Sequence, residues 1–163
     1  MNIGEADDQK EKNRGAEEPE KQREVQRNRK EGIIPRHEKL WVWQKAHKLM
    51  LIIFNLCKQL PREERFRLGD QIQRSSKSVQ DNIAEGCSSY YFNNKIKSYF
   101  DSRKEAGETQ NHIREMESKT YINPTLSQAL IDEYEEVIRG LNGLINKTCE
   151  LREFFNRKGI QKL

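Results

Sequence analysis

From about position 41 the apolar residues recur with the period of a helix face. In the first candidate helix, Val42 to Leu60, they fall at Val42, Ala46, Leu49, Ile53, Leu56 and Leu60, in steps of four and three. The run Leu49–Phe54 is apolar on every side. It is too short to cross a bilayer, which takes about 20 apolar residues. The helix is therefore read as buried on two sides. One side meets the domain core; the other, carrying Leu51, Ile52 and Phe54, is expected to meet another subunit. Pro61 stops it.

The second candidate, Glu64 to Gly86, repeats Leu68, Ile72, Ser76, Val79 and Ile83. Small Ser75, Ser76 and Ser78 let a neighbour come close, and Gly86 followed by Cys87-Ser88-Ser89 reads as a stop. The third is expected to start from an Asn93 or Asn94 cap and run to Lys119. Its stripe is Ile96, Tyr99, Ala106, Ile113 and Met116, interrupted by Arg103 and Gln110. A turn follows at Asn123-Pro124-Thr125, where Thr125 and Gln128 fit a capping box. The fourth helix keeps a near-heptad spacing through Leu126, Leu130, Tyr134, Val137, Leu141, Leu144, Thr148, Leu151 and Phe155. Gly140 and Gly143 each cost about 1 kcal/mol against alanine in a helix, which signals close packing or a bend. No segment sustains a period of two. The expected fold is all-α, an antiparallel up-and-down four-helix bundle.

The 163 residues suffice for one domain, yet only 34% are hydrophobic and another 34% are charged. Much of the polar excess sits at the start. Residues 1–35 hold eight lysines and arginines, nine acids and only seven apolar side chains. That surface is too small to offset an ordering cost of roughly 1–2 kcal/mol per residue. The expected organisation is a disordered N-terminal arm over 1–35, a bundle over 36–158 and a flexible tail over 159–163. The arm has neither the apolar run of a secretory signal nor the composition of a transit peptide, so the cytoplasm is the expected compartment.

Charge sharpens the picture. The net +4 hides a local excess: residues 36–77 carry ten lysines and arginines against four acids. Such a patch is the usual footprint of a polyanion. On the second helix Arg67, Arg74 and Lys77 lie opposite the core stripe at 100° per residue, with Asp81 and Glu85 farther along. Cations early and anions late oppose the helix dipole, so stability alone does not account for them. Arg36, Lys39, Lys45, Lys48, Arg62 and Arg65 extend the patch. Phosphate contacts of this kind predict salt-sensitive binding with little sequence specificity. Gln71, Ser78 and Asn82 fall between the basic and apolar stripes, as an inter-helix or inter-subunit hydrogen-bond network or as a ligand contact. Glu105 and Glu108 are candidate partners for Arg74. Trp41 and Trp43 cannot share a helix face. One is expected to close the bundle end, and the other is free to stack on a base, as is the Tyr90-Tyr91-Phe92 connection.

Catalytic signatures are missing from the sequence. Cys57, Cys87 and Cys149 form no CxxC pair, His37, His47 and His112 stand alone, and no HExxH, Gly-rich phosphate loop or nucleophile elbow occurs. No enzyme activity, metal or cofactor is expected.

Four motifs point to a family. Leu40-Trp41-Val42-Trp43-Gln44-Lys45-Ala46 resembles "L-x-V-W-Q-x-A", and Leu60-Pro61-Arg62-Glu63-Glu64 resembles "F-P-x-x-E". The segment from Gln71 to Gly86, ending Asn82-Ile83-Ala84-Glu85-Gly86, resembles "Q-I-R-R-A-x-x-S-I-x-x-N-I-A-E-G". Lys104-Glu105-Ala106-Gly107-Glu108-Thr109 resembles "K-E-A-x-E-T". The chain thus resembles the four-helix bundle proteins encoded in intervening sequences of bacterial large-subunit ribosomal RNA genes. The accessory variability determinant of diversity-generating retroelements is related to them. The resemblance implies a left-handed antiparallel bundle assembled into a ring-like homo-oligomer, a pentamer, without catalytic activity. It implies RNA as a partner or, as in the retroelement relatives, a reverse transcriptase and nucleic acid bound by a basic surface; the alternative reading of the residues is a purely structural oligomer whose charges are a solvated surface. Trp43, Gln71, Asn82, Glu85 and Gly86 carry the motifs as structural or interface residues.

Overall fold

The structure, a computed structural model, describes residues 35–159. The expected arm and tail lie outside the described residues except for Pro35 and Gly159. A single 3-10 turn, Arg36–Lys39, leads into α1 (Trp41–Cys57). A short helix α2 (Arg62–Arg65) follows, then the long helices α3 (Leu68–Ser88), α4 (Phe92–Ser118) and α5 (Pro124–Arg157). No strand occurs among the described residues, and no described helix is long and apolar enough to cross a membrane.

Cross-helix contacts fix the topology. Thr109 meets Ser75 and Ser102 meets Val79, so α3 and α4 run antiparallel. Arg103 meets Asn142 and Arg114 meets Gln128, so α4 and α5 do too. His47 on Gln80 and Cys57 on Gly69 set α1 antiparallel to α3. Lys45 on Glu133, with Val42 against Gly140, does the same for α1 and α5. Each helix has two neighbours, and the apolar stripes meet in one core.

The stripes of α3 and α4 are buried as expected. Elsewhere the structure departs from expectation at the helix ends. α1 stops at Cys57 rather than Leu60, and Cys57 takes the core position expected of Leu56, which is only half-buried. The second helix is broken in two. Arg67, with φ −109° and ψ −94°, is not helical and stands just before α3. The corner lets Leu60 and Leu68 both reach the core, and packs Gly69 so closely that a Cβ would lie 3.3 Å from the Glu64 carbonyl. α4 starts at Phe92, with no asparagine cap. Burial of the Phe92 ring, stacked on Phe155 at 5.7 Å, anchors that end instead. The cap of α5 is Asn123, whose side chain accepts from the Leu126 N–H at 2.8 Å, with Pro124 in the first turn. Gln128 does not close a capping box but bonds Asp132 and Arg114. Late in α5, Ile145 enters the core, Leu144 is half-buried and Leu151 is exposed.

A polar seam runs between α3 and α4. The Thr109 hydroxyl lies 2.9 Å from that of Ser75, and the Ser102 hydroxyl donates to the Val79 carbonyl at 2.7 Å, all of them buried. Gly86 completes the seam, because a Cβ there would lie 2.5 Å from the Tyr99 ring. The far end of α4 closes by a Schellman pair: Tyr121 N–H to Met116 O and Thr120 N–H to Glu117 O. This puts Thr120 at φ +61°, a left-handed position that a β-branched residue occupies at a cost.

Candidate nucleic-acid and subunit interface

α1 and α3 lie side by side, and a groove between them brings Phe54 of α1 beside Arg74 and Lys77 of α3. The exposed apolar surface of α1 itself is wide. Leu51 is 47% exposed, Ile52 43% and Phe54 45%, against 2% or less for the inward Leu49 and Ile53 of the same helix. An amphipathic helix satisfied by its own bundle keeps one apolar face; α1 has a second. The all-round run of the sequence is therefore split between core and surface.

A groove beside this patch has a volume of about 380 Å³. Met50 and Phe54 line it from α1; Asp70, Gln73, Arg74 and Lys77 line it from α3. Phe54 also carries the Lys58 ammonium 4.5 Å above its ring. The expected subunit surface and basic surface thus touch in a single groove.

The cations are less free than their spacing suggests. Arg74 pairs with Asp70 at 2.9 Å, and not with Glu105 or Glu108; Lys77 pairs with Asp81. Both pairs are exposed, and such pairs are worth only about 0–1 kcal/mol, so an incoming phosphate can compete for the cation. Lys45 lies toward α5, clasped by Glu133 at 2.8 Å and by Glu136. Burial pulls its pKa down, but the two carboxylates outweigh burial and leave it above the ordinary lysine value. Lys48 is exposed on α1 without an ion pair among the described residues. Arg62, Arg65 and Arg67 are exposed at the lower corner, where Arg65 donates through Nε to the Leu60 carbonyl at 2.8 Å. Arg67 does not share the helical face of Arg74 and Lys77 expected of it, because it stands outside the helix. Arg36 and Lys39 are exposed at the opposite end, in the 3-10 turn. The basic set is therefore divided: Arg74 and Lys77 border the α1/α3 groove, Lys45 lies against α5, and the arginines of the corner and of the 3-10 turn stand at opposite ends.

The motif residues divide. Gly86 is buried, and its contact with Tyr99 explains the requirement for glycine. Trp43 is half-buried, stacked on His47 at 5.0 Å and edge-on to His37 at 5.2 Å; His47 in turn meets Gln80 through Nδ1 at 2.7 Å. Trp41 is the more exposed tryptophan, at 54%, with its ring against Gly140. Tyr90 and Tyr91 are exposed, whereas Phe92 is buried. Gln71 and Glu85 are exposed on α3, and Asn82 is half-buried. The side chains of Gln71, Ser78 and Asn82 make no hydrogen bond to another described residue. The hydrogen-bond seam within the bundle uses Ser75, Ser102 and Thr109 instead.

Residues 38–143 match the family model described as 23S rRNA-intervening sequence protein. The chain belongs to that family. Among solved structures, the chain is similar to a crystal structure from Bacteroides thetaiotaomicron. That structure is described as a protein with unknown function from the S23 ribosomal protein family. The two share 26% identity with a TM-score of 0.60, over 64% of this chain and 95% of the other. No curated protein matches. The matched span begins within the 3-10 turn and ends within α5, so it contains α1 and α3 entire but not Arg36.

Sequence spacing missed two features here. The partners of Lys45 sit about ninety residues away on α5, with nothing local to signal them. Nothing in the spacing marks Lys95, yet its ammonium donates to the Gly86 and Cys87 carbonyls at 3.3 and 3.2 Å, capping the end of α3.

Proposed function

We propose that this family member is a non-enzymatic, homo-oligomeric bundle that binds RNA through the outer face of α1 and α3. The observation that carries the reading is the groove where exposed Phe54 meets Arg74 and Lys77, on a helix that also exposes Leu51 and Ile52. An apolar strip on the outside of a helix is a surface that another molecule covers. Association of subunits through Leu51 and Ile52 leaves the α3 cations and the Arg62–Arg67 corner at the rim of the assembly. Repetition around the assembly then converts a modest patch into avidity. The arginines suit bidentate phosphate contacts.

A titration of the full chain with total cellular RNA at low and physiological salt tests the binding claim. The reading expects affinity to fall steeply with salt, by orders of magnitude if several phosphates are contacted. It also expects Arg67→Glu, Arg74→Glu and Lys77→Glu together to weaken binding at least about tenfold. Affinity indifferent to both changes contradicts it. One observation favours a second reading: the walls contributed by Met50 and Phe54 suit a side chain better than a phosphate. In that reading an acidic protein, such as a reverse transcriptase, docks on the same face. Salt-sensitive capture of such a partner without RNA affinity distinguishes it.

A further inference from the structure

A second cavity, of about 290 Å³, lies at the end of the bundle where α1 and α4 begin and α3 ends. Its walls are apolar, from Leu40, Phe92, Tyr99, Leu144 and Leu151. Three cations line it, Arg36, Lys95 and Lys147, and no carboxylate does. This differs from the α1/α3 groove, where Asp70 lies beside Arg74. Arg36 and Lys147 make no ion pair with another described residue. Lys95 places two donors on the Gly86 and Cys87 carbonyls, and its ammonium has a third. Burial holds Lys95 below the ordinary lysine pKa; Cys87 opposes that pull and the Arg36 charge adds to it. Three like charges around one apolar space repel each other until an anion joins them.

We propose that this cavity binds a small amphipathic anion of the medium-chain carboxylate class. The carboxylate sits among Arg36, Lys95 and Lys147, and the apolar body fills the space between Phe92, Tyr99 and Leu151. The chemistry of the walls selects this class. The Thr148 hydroxyl is committed to the Leu144 carbonyl at 2.6 Å, so the walls offer few partners for a polar body such as a ribose. Burial pushes the Tyr99 phenol up to about 12, which keeps it neutral and able to donate. An inorganic anion alone leaves the apolar walls unfilled, and a neutral alcohol leaves the cations unpaired.

The probes are octanoate, octanol and inorganic phosphate, titrated calorimetrically into the full chain. Octanoate is expected to bind once per chain, with octanol and phosphate each at least about tenfold weaker. Arg36→Gln with Lys147→Gln is expected to remove that advantage over octanol. Cys87 lines the cavity and Cys149 does not, which supplies a readout on the unaltered protein. Octanoate is expected to slow alkylation of Cys87 by iodoacetamide several-fold while leaving Cys149 unchanged, mapped by mass spectrometry. Octanol or phosphate binding as tightly as octanoate, or octanoate binding without protection of Cys87, overturns the proposal.

Discussion

Between α3 and α4 the small and polar side chains are spent on each other. Ser75 meets Thr109, Ser102 reaches the Val79 carbonyl, and Gly86 admits the Tyr99 ring. Along the outer side of α1 the opposite holds. Leu51, Ile52 and Phe54 are nearly half exposed, and Lys48 has no acidic partner among the described residues. The seam is closed by residues of the same chain, so its sequence answers to packing. The α1 face is left open by the described residues, and in the proposed reading its sequence answers to another molecule. The contrast teaches that an apolar run continuous in sequence can serve two masters, and that exposure separates them.

Substitutions sharpen the contrast, beginning with the seam. Gly86→Ala drives a Cβ to within 2.5 Å of the Tyr99 ring, which is buried and cannot move aside. It is expected to cost about 1–3 kcal/mol, read as a lower denaturant midpoint. Gly140→Ala makes an equally short contact, 2.5 Å to Val42 Cγ2 and 2.7 Å to the Trp41 ring. The Trp41 ring is half-exposed, but Val42 is buried in the core and cannot give way, so a loss of the same order is expected. Full stability after either substitution breaks the comparison.

Three changes of smaller size go the other way. Thr120→Gly relieves a β-branched residue at φ +61° and is expected to raise stability by about 1 kcal/mol. Gly107→Ala and Gly143→Ala place a Cβ in open space within long helices. Each is expected to gain up to about 1 kcal/mol in thermal or urea unfolding. A loss at Gly143 that appears only in the assembled protein locates a neighbouring subunit there.

The smallest effect is one of pH. Burial, then the charges of Glu108 and Asp101, holds the Glu105 carboxyl above its ordinary value of 4.5. The folded chain therefore holds that proton more tightly than the unfolded one. Its contribution is full below the unfolded pKa and is lost as pH rises through the folded value. Glu105→Gln, neutral at every pH, is expected to raise the urea midpoint at neutral pH, with the gain vanishing below about 4.5. A gain that persists in acid contradicts this assignment.

Much of the fold was legible because helix periodicity is a local signal. The stripes of α3 and α4 were read position by position. Helix ends were less legible, since they depend on what the tertiary structure buries. Phe92 starts α4 because its ring packs on Phe155, and α3 starts after Arg67 because Leu60 and Leu68 must both turn inward. The candidate face was legible in residue type but not in pairing. Asp70 and Asp81 are close in sequence to Arg74 and Lys77, yet Glu133 and Glu136 reach Lys45 only through the fold. The end cavity could not be seen at all, because its three cations come from the 3-10 turn, α4 and α5.

The claim that α1 carries a face completed by another subunit is tested most directly by light scattering of the full chain at micromolar concentration, alongside Leu51→Glu with Ile52→Glu. The account predicts a mass that is a multiple of 19.3 kDa for the unaltered protein. For the double variant it predicts the single-chain mass with helix content unchanged, since surface substitutions shift stability by only about 0.5 kcal/mol. An unaltered protein that scatters as a single chain, or a double variant that assembles as before, contradicts it.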